Sequence, residues 1–253
     1  MIRAFGSGTL THGQTKIWHV ITLVNRPHAL LGRLTFWGLV QGKPMLSQIA
    51  ANDDLVCFHP HQSLARDNER LENLYDILEG WACRHRMLSD GRRQITALYL
   101  PGDLCDPLWS LSPHCHDPVV ALTNIRAVRR SLSDVHGLER PKGIASRLAE
   151  SLERQSNWIV NLGCKTAVER LAHLLLELFE RMRRAGFAYG QQCALPLTQA
   201  DIADTTGLTA VHVNRTLQTM RASGVLEFHS KWLRIPDLGR LRDLAALGPQ
   251  DHL

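Results

Sequence analysis

The chain has 253 residues, 44% hydrophobic and 21% charged, with a formal net charge of +5. This is the make-up of an ordinary soluble protein with one large core or two modest ones, and it excludes a low-complexity chain. The positive balance suits a polyanionic partner, although many mildly basic proteins have none.

Residues 1–44 form an unassigned amino-terminal extension. Gly6-Ser7-Gly8, His12-Gly13-Gln14 and Gly42-Lys43-Pro44 are breakers, and the apolar residues between them follow no clean period. The most apolar stretch, 29–40, carries Arg33 and two glycines and is too short to span a bilayer. A cytoplasmic location with no membrane partner is therefore expected. The extension is either an arm or translated upstream sequence with Met45 as the natural start.

Residues 45–136 have the texture of short strands. An apolar run over 74–79 closes at Gly80, and 81–88 alternates. Ser89-Asp90-Gly91 supplies turn chemistry, and 93–100 is the partner strand, closed by Pro101-Gly102-Asp103. A further single strand is expected over 121–128. Strands at this spacing predict a small antiparallel roll. Asp53-Asp54 is expected to be merely solvated.

A long helix is expected over 137–162, with Pro141 in its first turn and Gly163 as its end. Ile144, Leu148, Leu152, Gln155, Ile159 and Leu162 recur at a period near 3.5, the seam of a two-helix contact. Such a stripe either pairs two copies of the chain, with Gln155 setting register, or packs on its own domain. From 163 to 253 the pattern changes. Thr166 and Glu169 have the spacing of a capping box, and the helix that follows is apolar on a wide face and ends near Gly186.

The most informative stretch is 197–227. Thr198 can cap a short helix over 199–205, with Asp201 three residues on. Gly207 suits a tight turn because it takes positive φ without a Cβ clash. Thr209 can cap a second helix to about Ser223. Ile202, Ala203, Leu208, Val213 and Leu217 then face inward, the layout of a helix–turn–helix. Outward residues at the start of the second helix reach base edges in such motifs. Arg215 can bridge the two acceptors of guanine, Asn214 can pair with adenine, and Val211 can pack on a thymine methyl. Thr198, Gln199, Thr209 and His212 lie near helix starts, where phosphates are favoured. Ala210 and Gln218 complete the candidate DNA-binding face. Residues 226–235 read as a two-stranded wing turning near His229-Ser230, with Lys231 placed for a phosphate, and a last short helix is expected over 238–247.

This order of roll, long helix and winged helix resembles the Crp–Fnr family of bacterial transcription regulators. The resemblance is carried by 73–80, Asp90-Gly91-Arg92, Leu100-Pro101-Gly102-Asp103, Asn161-Leu162-Gly163 and 197–227, and covers roughly 70–236. It implies an α+β chain with a cupin-like, cyclic-nucleotide-binding-like roll, a dimerisation helix and a winged helix–turn–helix. It also implies a homodimer on two-fold symmetric double-stranded DNA that recruits or blocks RNA polymerase. In such regulators the roll biases the winged helices through the long helix.

The departures restrict the effector, which the sequence leaves unknown. Nucleotide-binding members carry a glutamate after the Gly-Asp turn and an Arg-Ser pair further on. Here Gly102-Asp103 is followed by Leu104-Cys105-Asp106, and the later slot falls near Cys115-His116-Asp117-Pro118. Six cysteines stand at 57, 83, 105, 115, 164 and 193, none paired as C-x2-C or C-x4-C, and only Cys57 lies near where oxygen-sensing members cluster theirs. No cofactor and no resident metal are expected, and most cysteines should be small core residues. Two weaker readings remain open. His114-Cys115-His116-Asp117, with His59 and His61, holds metal-ligand types. Cys83, beside Arg84, His85 and Arg86, or Cys115, is a candidate redox thiol. No nucleophile elbow, phosphate loop or paired catalytic carboxylates mark an enzyme. The alternative to a DNA reader is a ligand- or metal-sensing module whose winged helix docks on a protein.

Overall fold

The computed structural model describes residues 54–133 and 143–247; the extension, Asp53 and Pro141 lie outside them. Eight strands build the amino-terminal roll: β1 Asp54–Phe58, β2 Ser63–Ala65, β3 Asn73–Glu79, β4 Ala82–Met87, β5 Arg93–Tyr99, β6 Leu104–Cys105, β7 Val119–Ala121 and β8 Ile125–Ser131. They form two antiparallel sheets, ordered β1-β8-β3-β6 and β2-β7-β4-β5. Leu74, Ile77, Val119, Ile125 and Ala127 fill the space between the sheets, with Trp109 from a short 3-10 turn over Pro107–Ser110.

The hairpin between β4 and β5 turns at Gly91, whose φ is +85°, while the Arg92 amide donates to Asp90 Oδ1 at 3.0 Å. The strand expected over 121–128 is two strands in different sheets. Its break has a physical cause. A Cβ on Gly80 would lie 2.1 Å from the Asn124 carbonyl oxygen, so the β3–β4 corner and the segment 122–124 pass in backbone contact. The Trp81 amide donates to Thr123 Oγ1 at 2.9 Å, and the Leu122 amide to the Trp81 carbonyl at 2.8 Å. Both chains cross between sheets at this knot, which apolar patterning alone does not reveal. Asp54, expected to be only solvated, is in β1 and pairs with Arg129 at 2.6 Å.

Helix α1 spans Ile144–Cys164. Gly163 does not end it: the glycine lies in the final turn, and extended Lys165 is the C-cap. Ser151 and Asn161 face the chain's own core, whereas Leu152 and Ile159 are 56% and 72% exposed. Helix α2, Ala167–Arg184, starts with the expected reciprocal Thr166–Glu169 cap and is buried from Leu171 to Met182. Beyond it come β9 Ala188–Tyr189, β10 Gln192–Ala194, α3 Gln199–Thr206, α4 Ala210–Ala222, β11 Glu227–His229, β12 Trp232–Arg234 and α5 Leu238–Leu244. The wing is wider than expected, a four-stranded sheet ordered β11-β12-β10-β9. Its turn is at Ser230-Lys231, both at positive φ (50° and 65°), one residue beyond the expected pair.

Roll and winged helix share a core. Trp81, Cys83, Ile95, Leu98 and Leu100 from the outer face of the β4–β5 sheet join Leu174, Leu178, Ile202, Val213 and Leu217 in one buried cluster. Burial of side chains of this size contributes about 1.5–3 kcal/mol each. Among the described residues no helix is long and apolar enough to cross a membrane.

Candidate nucleic-acid interface

The start of α3 is fixed by a reciprocal cap. The Thr198 amide and hydroxyl donate to Asp201 Oδ2 at 2.9 and 2.7 Å, and the Asp201 amide donates to Thr198 Oγ1 at 3.1 Å. Burial pushes the Asp201 carboxyl up, but the bonds from Thr198 and the Arg93 guanidinium outweigh it and hold the pKa below its ordinary 3.8. Gly207 ends the helix at φ +65°, the left-handed position that needs no Cβ. A Cβ there would meet Leu162 Cδ2 at 3.4 Å, so the turn is seated on the end of α1. Thr209 Oγ1 accepts from the His212 amide at 3.2 Å and starts α4. Ile202, Val213 and Leu217 are fully buried, and small Ala203 lets the helices cross closely.

That framework decides what faces outward. Val211 is 73% exposed, an unusual setting for a β-branched apolar side chain. Ala210, His212, Arg215 and Gln218 are exposed as well. Residues 211, 214, 215 and 218 follow the i, i+3, i+4, i+7 spacing of one helix face. Asn214 is half-buried, and its Oδ1 accepts from Gln199 Nε2 at 3.4 Å, which joins the two helix starts. Thr198, Gln199 and Thr209 are exposed beside them, and exposed Lys231 is at the wing turn. The Arg215 guanidinium bonds to none of the described residues, whereas Arg234 pairs with Glu227 at 2.9 Å.

Sequence reasoning missed the polar groups inside the junction. Arg181, buried on α2, donates to Asp103 Oδ2 at 2.6 Å, the Leu98 carbonyl at 2.7 Å and Glu177 Oε1 at 3.0 Å. Burial opposes its charge, but Asp103 and Glu177 outweigh that and raise the pKa. Trp158 Nε1 on α1 donates to Glu177 Oε2 at 2.6 Å. The available signal was the i, i+4 pair Glu177/Arg181 within an otherwise apolar helix face.

Inside the roll the polar groups are committed to one another. Arg84 is spent on Asp106 at 2.8 Å, and Tyr99, Leu104, Cys105 and Trp109 are buried together in the interior. Neither candidate thiol is activated. Burial pushes Cys83 to about 12 despite nearby Arg93, and Cys115 to about 11. Cys115 Sγ donates to the Asp117 carbonyl at 2.9 Å, and the Asp117 carboxylate pairs with Arg86, so two of the four side chains in the 114–117 run are engaged locally. Among the described residues no three His, Cys, Asp or Glu side chains gather as a metal site.

Comparison with known proteins agrees with this architecture. Residues 169–244 match the Crp-like helix-turn-helix domain, and 55–138 match the cyclic nucleotide-binding domain. The nitrogen fixation regulation protein FixK of Azorhizobium caulinodans is 30% identical over 202 residues, 78% of this chain and 81% of that protein. The fumarate and nitrate reduction regulatory protein of Vibrio cholerae is 26% identical over 75% of this chain and 77% of its own length. The solved structure of FixK2 from Bradyrhizobium japonicum matches at a TM-score of 0.68 and 27% identity, over 78% of this chain and 98% of that one. The chain belongs to the Crp–Fnr family of DNA-binding transcription regulators, with a cyclic-nucleotide-binding-type roll and a Crp-like helix–turn–helix.

Proposed function

We propose that the protein is a cytoplasmic homodimer that reads a two-fold symmetric DNA site through α4. Arg215, Asn214 and Val211 read bases. Thr198, Gln199, Thr209, Ala210 and His212 set the helix starts against the backbone, Gln218 extends the face and Lys231 adds a phosphate contact from the wing. The observation that carries the reading is the Arg215 guanidinium, which bonds to none of the described residues, beside exposed Val211 on a helix whose other face is fully buried. Exposed Leu152 and Ile159 on α1 support pairing of two copies along the predicted stripe, with sensor residues 45–136 on one side of it and DNA-reading residues 163–253 on the other. Two-fold symmetry then spaces the half-sites by about one helical turn. RNA polymerase is the partner such a bound dimer acts on. The interior of the roll supports no cyclic-nucleotide effector.

Selection of bound sequences from a random DNA pool, with purified protein and no added ligand, tests this. The expected result is a palindromic site whose affinity falls steeply with salt. Failure to enrich any site, with weak binding insensitive to sequence, would instead favour a winged helix that docks on protein.

A further inference from the structure

The reading face of α4 is free, but the opposite side of the helix–turn–helix is not. Arg93 stands at the start of β5, one residue past the hairpin turn, and its side chain leaves the roll altogether. Its Nη2 donates to Asp201 Oδ1 at 2.7 Å and its Nε to Asp204 Oδ2 at 2.6 Å. The two carboxylates are three residues apart on α3, so one planar guanidinium spans a helical turn. Gln94 adds a bond from Nε2 to the Thr205 carbonyl at 3.4 Å. Beneath this polar rim, Cys83 and Ile95 of the roll are fully buried in the core shared with Ile202. At the far end of α3, Gly207 rests on Leu162 of α1, and Arg170 Nη1 donates to the Thr206 carbonyl at 3.4 Å. Helix α3 is thus gripped at both ends, by the roll at its start and by α1 and α2 at its finish.

We infer that Arg93 is a positioning residue: by clamping Asp201 and Asp204 it fixes the angle at which the roll presents the reading helix, and so sets which half-site spacing the dimer accepts. This rests on the dimeric DNA-reading function proposed above. Three features support it. The clamp touches α3 only and leaves Val211 and Arg215 open, so it is compatible with bound DNA. It is partly buried, the Arg93 side chain being 26% exposed, so salt weakens it less than a surface pair. It uses the carboxylate that also caps α3, so a shift of the roll is transmitted to the first turn of the helix–turn–helix without passing through α1.

The test compares affinities for synthetic duplexes whose half-sites are separated by the selected spacing or by one base pair more or less, a change that rotates one half-site by about 35°. Intact protein should discriminate strongly among them. In Arg93→Gln the ratio of shifted to optimal dissociation constants should shrink about tenfold, within the range typical of coupled sites. Affinity for an isolated half-site should not change, because a single reading helix needs no angle to its mate. Arg93→Lys should recover part of the discrimination, since an ammonium can serve one carboxylate but not span two. An unchanged spacing ratio in Arg93→Gln overturns the inference. So does an equal loss on half-site and full-site duplexes, which marks a fold defect, or tighter binding throughout, which marks a restraint rather than a guide. If intact protein shows no preference for any two-fold site, the dimeric reading itself fails and the clamp's role falls with it. Intact protein that prefers such a site while Arg93→Gln behaves identically removes the clamp alone.

Discussion

Replacing Arg181 by methionine keeps roughly the side-chain length and removes only the guanidinium. The structure fixes what is left behind. Glu177, whose side chain is 5% exposed, keeps the Trp158 indole N–H as its hydrogen bond among the described residues, Asp103 keeps the Leu100 amide at 2.7 Å, and Arg154 is the remaining cation near both carboxylates. The Leu98 carbonyl loses its donor at 2.7 Å. Breaking a buried ion pair by removing one partner costs about 3–5 kcal/mol, because the remaining charge stays desolvated. Methionine packing offsets little of that, since it supplies no donor. Equilibrium urea unfolding should therefore show a midpoint drop equivalent to about 3–5 kcal/mol at an unchanged slope. Adding Glu177→Gln to the same chain should recover a good part of the loss, because the neutral amide no longer needs a cation. A single variant costing under about 1 kcal/mol, with no recovery in the double, would refute the reasoning by showing that the carboxylates are solvated without Arg181.

Arg215→Ala should cost about 1–3 kcal/mol in DNA affinity and relax preference at one base position, read by repeating the pool selection with the variant; an unchanged site would remove Arg215 from base readout. The Asp201 carboxyl is held below its ordinary 3.8, so the stability it contributes is complete above that value and is lost as pH falls through the lower folded value. Acid unfolding of Asp201→Asn should accordingly diverge from that of the unaltered protein above about pH 4 and converge with it only as pH falls below the lowered folded value. Brief alkylation at pH 8 followed by mass spectrometry should label exposed Cys57 and Cys164 and spare Cys83, whose thiol burial pushes to about 12. Early labelling of Cys83 would mean that the roll opens from the winged helix.

Legibility followed locality. The Thr198–Asp201 cap, Gly207 and the Thr209 cap are three signals within twelve residues, each tied to one backbone need, and all appear in the structure as read. The Asp90-Gly91 hairpin was legible for the same reason. The knot at Gly80 and 122–124 was not, because it joins segments over forty residues apart: the break at Gly80 was legible, but 121–128 reads as one uninterrupted strand. Gly163 misled in the other direction: glycine costs a helix about 1 kcal/mol, which the nineteen helical residues on its amino-terminal side override.

The same rule explains why the residues proposed to face DNA are easier to read from sequence than the one inferred to aim them. A reading residue is marked by its own exposure at a fixed offset from a cap, which a linear pattern records. Arg93 and Arg181 act through carboxylates 108 and 78 residues away; the i, i+4 spacing of Glu177 and Arg181 hints at the second, but nothing in the neighbours of Arg93 distinguishes it from a solvated arginine. Arg92, next to Arg93, shows the contrast: it folds back on Asp90 within the hairpin as an exposed, solvent-screened pair. Two adjacent arginines of identical chemistry thus differ because one points along the turn and the other across to α3. If the inference holds, the Arg93 clamp gives the roll a second, shorter route to the winged helix beside the long helix expected from the resemblance. Helix α3, against which α4 packs, is then held at two points, and two points fix an angle where one leaves a pivot.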